Sequence, residues 1–185
     1  MFRLFAALAL ALCTAVPARA TTYPPVTFTD LVTQADLIFI GEVVDVRPLA
    51  VNTANGSIIK TRVVFRVNDP LFGTTAALEV LEFFGGELGD VGMAIAEMPG
   101  FAIGDRRVVF ARRDRSINPI VGFTQGLLRV TRDTAGVDRV LTLEGLPVDQ
   151  PESIGLGRAG RTAAAAMRLL DFRDRVRRAV DGIRR

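Results

Sequence analysis

The chain has 185 residues, 23 of them basic and 20 acidic, with no histidine, no tryptophan and one cysteine, Cys13. Without histidine there is no Ser-His-Asp or Cys-His nucleophile and no imidazole ligand for a catalytic zinc. Lys60 is the single lysine, so a Schiff-base site has one candidate, and that residue falls on a strand.

The net charge of +3 hides an asymmetry. Residues 158–185 hold nine arginines against Asp171, Asp174 and Asp181, a net of +6. Residues 21–157 hold 12 bases against 17 acids, a net of −5. An acidic body therefore carries a basic tail.

The first twenty residues, MFRLFAALALALCTAVPARA, read as a secretory signal peptide. Arg3 supplies the positive start, Leu4 to Val16 is apolar but short for a membrane span, and Ala18-Arg19-Ala20 is a small-x-small cleavage pattern. Cleavage between Ala20 and Thr21 predicts an exported, periplasmic or extracellular domain of 165 residues without cysteine or disulfides. An uncleaved anchor and a lipoprotein at Cys13 are the alternatives; for the latter, Leu12 stands where a small residue is wanted.

After a lead with Pro24 and Pro25, residues 27–34 predict a short helix capped by Thr27 or Thr29, with Asp30 at its positive end. Leu37 to Val46 is a β-prone run. Pro48 to Ile58 reads as a loop with a tight turn at Asn55-Gly56. Ile59, Thr61, Val63, Phe65 and Val67 then alternate with Lys60, Arg62, Arg66 and Asn68, which predicts an antiparallel strand with one wet face. Ala77 to Phe84 is a third strand, followed by a glycine-rich loop over Gly85 to Gly92 and a short strand over Met93 to Met98. Pro99 to Asp105 turns twice. Arg107 to Arg112, Val121 to Phe123, Leu127 to Thr131 and Arg139 to Leu143 complete the β part. Short strands at close spacing argue for a barrel or sandwich and against βαβ units.

Residues 21–146 are thus one β domain, 147–160 a Pro/Gly linker and 161–185 a basic amphipathic helix. The helix is predicted over Thr162 to Ile183, with Thr162, Ala165, Leu169, Phe172, Val176, Ala179 and Ile183 on one stripe. The stripe reads first as a face docked on the body, with arginines meeting acids. A partner or self-association is the second reading and an anionic lipid surface the third.

The segment ADLIFIGEV (Ala35 to Val43), with TRVVFRV (Thr61 to Val67) and Leu71-Phe72-Gly73, resembles the first strands of the netrin-like module shared by tissue inhibitors of metalloproteinases. The elements PGFAIGDRRVVF (Pro99 to Phe110) and VGFTQGLLRV (Val121 to Val130) extend the resemblance to secreted bacterial proteins of the same layout. It implies a mainly β fold: an antiparallel OB-like barrel with a short N-terminal helix and a C-terminal amphipathic helix. The inhibitors chelate zinc through an N-terminal cysteine; here Thr21 holds that place, so that chemistry does not carry over.

Gly155, Gly157 and Gly160 match GxGxxG, but no hydrophobic strand precedes them, as a dinucleotide site requires. Glu79, Glu82, Glu87, Asp90 and Glu97 are the acids a carboxylate-dependent hydrolase or a weak cation site would use, with Glu87 and Asp90 sharing one loop. A Ser-Lys dyad would pair Lys60 with Ser57, Ser116 or Ser153. Among the phenylalanines, Phe101, between two turns, is the one best placed for recognition.

These readings converge on an exported, non-enzymatic binding or interaction module without cofactor or metal. Its partner is a protein or small ligand rather than nucleic acid. Candidate binding residues are Phe101, Glu87 and Asp90, on the loops Pro99–Asp105 and Gly85–Gly92, with Pro48–Ile58 as a third loop. A modulator of a secreted protease and a carboxylate-dependent hydrolase are the alternatives.

Overall fold

Alternating apolar residues build a sheet that has two cores. A computed structural model describes residues 24–54, 56–74, 76–114, 117–155 and 166–183. Residues 1–20, including Ala20 of the expected cleavage site, lie outside them, as do Thr21 and residues 156–165. Helix α1 is Phe28–Gln34, and the strands are β1 (Leu37–Thr53), β2 (Gly56–Phe72), β3 (Leu78–Phe84), β4 (Gly86–Leu88), β5 (Val91–Met93), β6 (Arg106–Ala111), β7 (Leu127–Arg132) and β8 (Asp138–Leu141). Helix α2 is Leu169–Ile183. The six-stranded antiparallel sheet has the order β3-β2-β1-β6-β7-β8, and β4-β5 is a separate hairpin. The chain is mainly β with a C-terminal helix.

The expected closed barrel is not formed by the described residues, since β3 and β8 are both edges. Among the described residues, one main-chain bond, from Phe84 N–H to Ile117 O at 3.0 Å, reaches from β3 to the β6–β7 connection. Closure is not needed to dry the sheet, because other elements cover both faces. On one face, Ile38, Ile40, Val108, Phe110, Leu128 and Val140 pack under the helices. On the other, Phe39, Val43, Val63, Phe65, Leu81 and Phe83 meet as the sheet curls, and Met98 and Phe101 pack against them.

The Pro48–Ile58 loop is also corrected. β1 and β2 pair through Pro48↔Thr61 to Thr53↔Gly56, so most of the expected loop is strand. Pro48 fits in β1 because β6 pairs only as far as Glu42, so this half of β1 has a free edge where a missing N–H is harmless. Val121 to Phe123, expected as a strand, is turn, with one bridge at Ile120. The predicted cap of α1 is present: Thr27 Oγ1 accepts from Asp30 N–H at 3.1 Å, and Asp30 Oδ2 accepts from Thr27 N–H at 3.1 Å.

The described part of the linker, 147–155, is packed rather than loose. Val148 and Ile154 are buried, and Pro151–Ser153 forms a 3-10 turn. Val148 N–H donates to Val140 O, Met167 N–H to Val148 O, and Val140 N–H to Met167 O, at 3.1, 2.7 and 3.0 Å. This triangle ties β8, the linker and the approach to α2 together. It also explains why α2 begins no earlier than Leu169 among the described residues: the main chain of Met167 is spent on the sheet and the linker, while residues 162–165 of the expected helix lie outside the described residues.

Helix α2 docks on the body. Leu169, Phe172, Val176 and Val180 are buried, and Phe172 meets Phe28 edge-on at 6.3 Å. Val180, not Ile183, ends the stripe; Ile183 is exposed. Arg177 and Arg173 reach Asp69 at 2.7 and 3.8 Å, and Arg175 pairs with Glu152. Phe172→Ala should lower stability by about 3–4 kcal/mol through cavity formation, while Arg178→Ala, at an exposed position, should change it by less than about 0.5 kcal/mol. Urea unfolding of both variants measures the difference.

A second ionic cluster pins the β8 edge. Asp138 accepts from Arg106 at 2.8 Å and from Arg132 at 3.0 Å, and these two guanidinium groups hold its carboxyl well below the usual carboxylate range. A depressed folded pKa gives stability that is complete above the unfolded value near 3.9 and is lost as pH falls below it. Asp138→Asn should therefore cost about 1 kcal/mol at pH 7, after allowing for solvent screening. The gap from wild type should narrow as the pH is lowered from about 4. Thermal melts at pH 7 and pH 3 test the sign.

Candidate functional site

The hairpin β4-β5 folds back over the end of the curled sheet and leaves a cleft of about 520 Å³. Gly85 makes the fold-back possible. Its N–H donates to Ile59 O at 2.8 Å, its carbonyl accepts from Thr61 Oγ1 at 2.8 Å, and its φ is +92°. A Cβ there would sit 2.6 Å from the Met93 carbonyl oxygen. The hairpin turns through Gly89 and Asp90, as the pairing Leu88↔Val91 requires.

The large side chains of the cleft are apolar: Phe83, Phe84, Met93, Ile95, Met98 and Phe101 line it with Val46 of β1, and Thr61 of β2 and the glycine main chain add polar surface. Glu87 is the one charged side chain in the lining, and it is exposed on β4. Phe101 is half-buried, 4.7 Å from Phe83 and 5.8 Å from Phe65 between ring centroids. It therefore belongs to the core through most of its ring and to the cleft through the rest. Asp105 holds this loop from below, accepting from Ala102 N–H at 3.0 Å and from buried Arg107 at 2.6 Å.

Of the three candidate binding residues, Phe101 and Glu87 share the cleft, whereas Asp90 lies in the hairpin turn outside its lining. Met93, Ile95 and Met98 were not singled out in the sequence. The signal for them is the Gly89-Asp90 turn, which reads Glu87–Met93 as a hairpin instead of a loop. The strand expected over Met93 to Met98 lies earlier, at Val91–Met93, because Gly85 and the turn set the register.

Of the remaining acids, Glu79 and Glu82 line a second cleft, beside β3. Glu82 lies between Arg62 at 3.0 Å and Lys60 at 3.4 Å, and its hydrogen bond from Arg62 lowers its pKa. A general acid needs the opposite shift. Glu97 is in an exposed turn with a left-handed φ of 59°. Lys60 is committed to Glu82 and lies 5.4 Å from the Phe84 ring centroid, while Ser57 sits next to the hairpin tip. Among the described residues, no three acidic side chains are grouped to hold a metal, and no helix is long and apolar enough to cross a membrane. The chain matches no protein family, no curated protein and no solved structure.

Gly85→Ala should destabilise the protein by about 2–3 kcal/mol, since it adds both left-handed strain and a backbone clash. It should also displace the hairpin: amide exchange over residues 86–93 should accelerate more than over β6. Uniform acceleration would contradict this account of the cleft.

Proposed function

We propose that this chain is an exported, non-enzymatic binding module that takes an apolar ligand with a cationic end into the cleft under β4-β5. The observation that carries this is the lining: six large apolar side chains, a single carboxylate, and glycines along its rim. Apolar clefts with one placed polar group are the usual form of small-ligand sites. Glu87 would select the charge of the ligand, and Phe101 would join its apolar part to the core.

The strand order supports an OB-type relationship. Counting β6 and β7 as fourth and fifth strands, the order 3-2-1-4-5 is that of a five-stranded OB barrel opened along one seam. It accords with the netrin-like resemblance of Ala35 to Gly73. Export rests on residues 1–20, and the non-enzymatic reading on the missing histidine and on a Glu82 held ionised.

The neutral fluorophore N-phenyl-1-naphthylamine should bind saturably at one site, and Ile95→Asp should abolish binding. Decyltrimethylammonium should displace it better than decyl sulfate. Glu87→Gln should weaken the cation about five-fold, the effect of one partly exposed charge pair. Absence of saturable binding, or binding indifferent to Ile95→Asp, would falsify the reading.

A further inference from the structure

The free edge of the sheet, along β3, carries a second surface, distinct from the hairpin cleft that begins at its last residues. Val67 N–H donates to Ala77 O at 2.9 Å and Gly85 N–H to Ile59 O at 2.8 Å. The odd-numbered residues of β3 therefore turn their main-chain groups toward β2, and Leu78, Val80, Glu82 and Phe84 turn theirs outward. Phe84 N–H is satisfied by Ile117 O. Among the described residues, no strand lies beside the outward groups of Leu78, Val80 and Glu82. Their side chains add to the exposure: Leu78 and Val80 are 55% and 50% exposed, and Ile117 at the far end of the edge is 53% exposed. An uncovered edge with apolar residues is a template for strand addition.

We propose that this edge pairs with the same edge of a second copy, antiparallel and two-fold symmetric about Val80. Backbone parity selects the register. An antiparallel hydrogen-bonded pair needs outward-pointing groups on both strands. A two-fold axis at Val80 pairs Val80 with Val80 and Leu78 with Glu82 of the second copy, all outward residues, for about six main-chain bonds. An axis at Glu82 would set Glu82 against Glu82 and would need Phe84, whose N–H is already used. An axis at Leu78 would run the ladder into Ala76 and Thr74, beyond the end of β3.

Charge supports the same choice. About Val80, Glu82 faces Leu78 and Glu79 faces Leu81, so no acid opposes an acid, an arrangement that would be destabilising. A cleft of about 520 Å³ runs beside the edge, lined among others by Glu79, Leu81, Arg112, Arg113 and Pro119. The Arg113 guanidinium has the Gly73 carbonyl as partner at 2.8 Å, and neither Arg113 nor Glu79 is in an ion pair among the described residues. Pairing brings a second Glu79 to the cleft that holds Arg113.

Sedimentation equilibrium of the intact protein tests this. Wild type should show a concentration-dependent dimer. Val80→Lys should raise the dimer dissociation constant at least ten-fold with unchanged circular dichroism, and Val91→Lys, at an exposed position in the β4-β5 hairpin, should leave it unchanged. In a Cys13→Ser background, Val80→Cys should oxidise to a cross-linked dimer, since hydrogen-bonded pairs hold Cα atoms about 5.5 Å apart. Glu79→Cys should not. A wild type that stays monomeric up to about 1 mM, a Val80→Lys that dimerises as well as wild type, or a monomer that takes up an unrelated extended peptide at this edge instead overturns the proposal.

Discussion

Burial of the first half of β1 on both faces is the constraint from which the rest of the structure follows. Leu37 and Phe39 point into the curled core, and Ile38 and Ile40 into the helix-covered core. A strand buried on both sides must have two sets of partners, so β2 and β6 flank it and each face needs a lid. The bend that separates the two jobs of β1 falls at Gly41. A Cβ there would lie 2.9 Å from the Arg66 carbonyl and 3.1 Å from the Phe39 ring. Glycine lets β2 and Phe39 close in, and the register shifts on both sides of it show the ladder adjusting to the bend. Beyond it, β1 leaves β6 and continues with β2 alone.

The two lids solve the same problem with different chemistry. The helix lid relies on Phe28, Phe172 and Val176 for burial and on arginine–carboxylate pairs at its rim. The asymmetry between an acidic body and a basic tail is thus resolved within one chain, in part at Asp69 and Glu152. Exposed pairs of this kind contribute little each; they orient a helix whose attachment is apolar. The other lid is the 94–105 segment, which packs Met98 and Phe101 on the core and buries Pro99 between them. It is thin, and it is where the cleft forms.

What was legible in the sequence was whatever depended on local period. β2 was readable because Val63 and Phe65 alternate with Arg62 and Arg66, and the cap of α1 because Thr27 stands three residues before Asp30. The amphipathic stripe of α2 was readable up to its last turn. Its start was not, because Met167 is held by Val148 and Val140, contacts with no local signature. Openness of the sheet was equally hidden: strand count and spacing are the same for an open sheet and a closed barrel. Phe101 and Glu87 were found from loop position, whereas Met93, Ile95 and Met98 needed the hairpin register to bring them together.

The open seam and the hairpin cleft share one origin. In a sheet that closes on itself, β3 would spend its outward N–H groups on a neighbouring strand and the inner face would need no plug. Here, among the described residues, β3 gives one such bond, to Ile117, and the chain between β3 and β6 is instead used for the hairpin and for Met98 and Phe101. Both clefts are thus places where main chain or apolar surface that closure would consume is left available. They differ in what they offer. The hairpin cleft offers side-chain surface around one carboxylate, which suits a small amphiphile. The β3 edge offers unspent amides and carbonyls at strand spacing, which only another strand can satisfy.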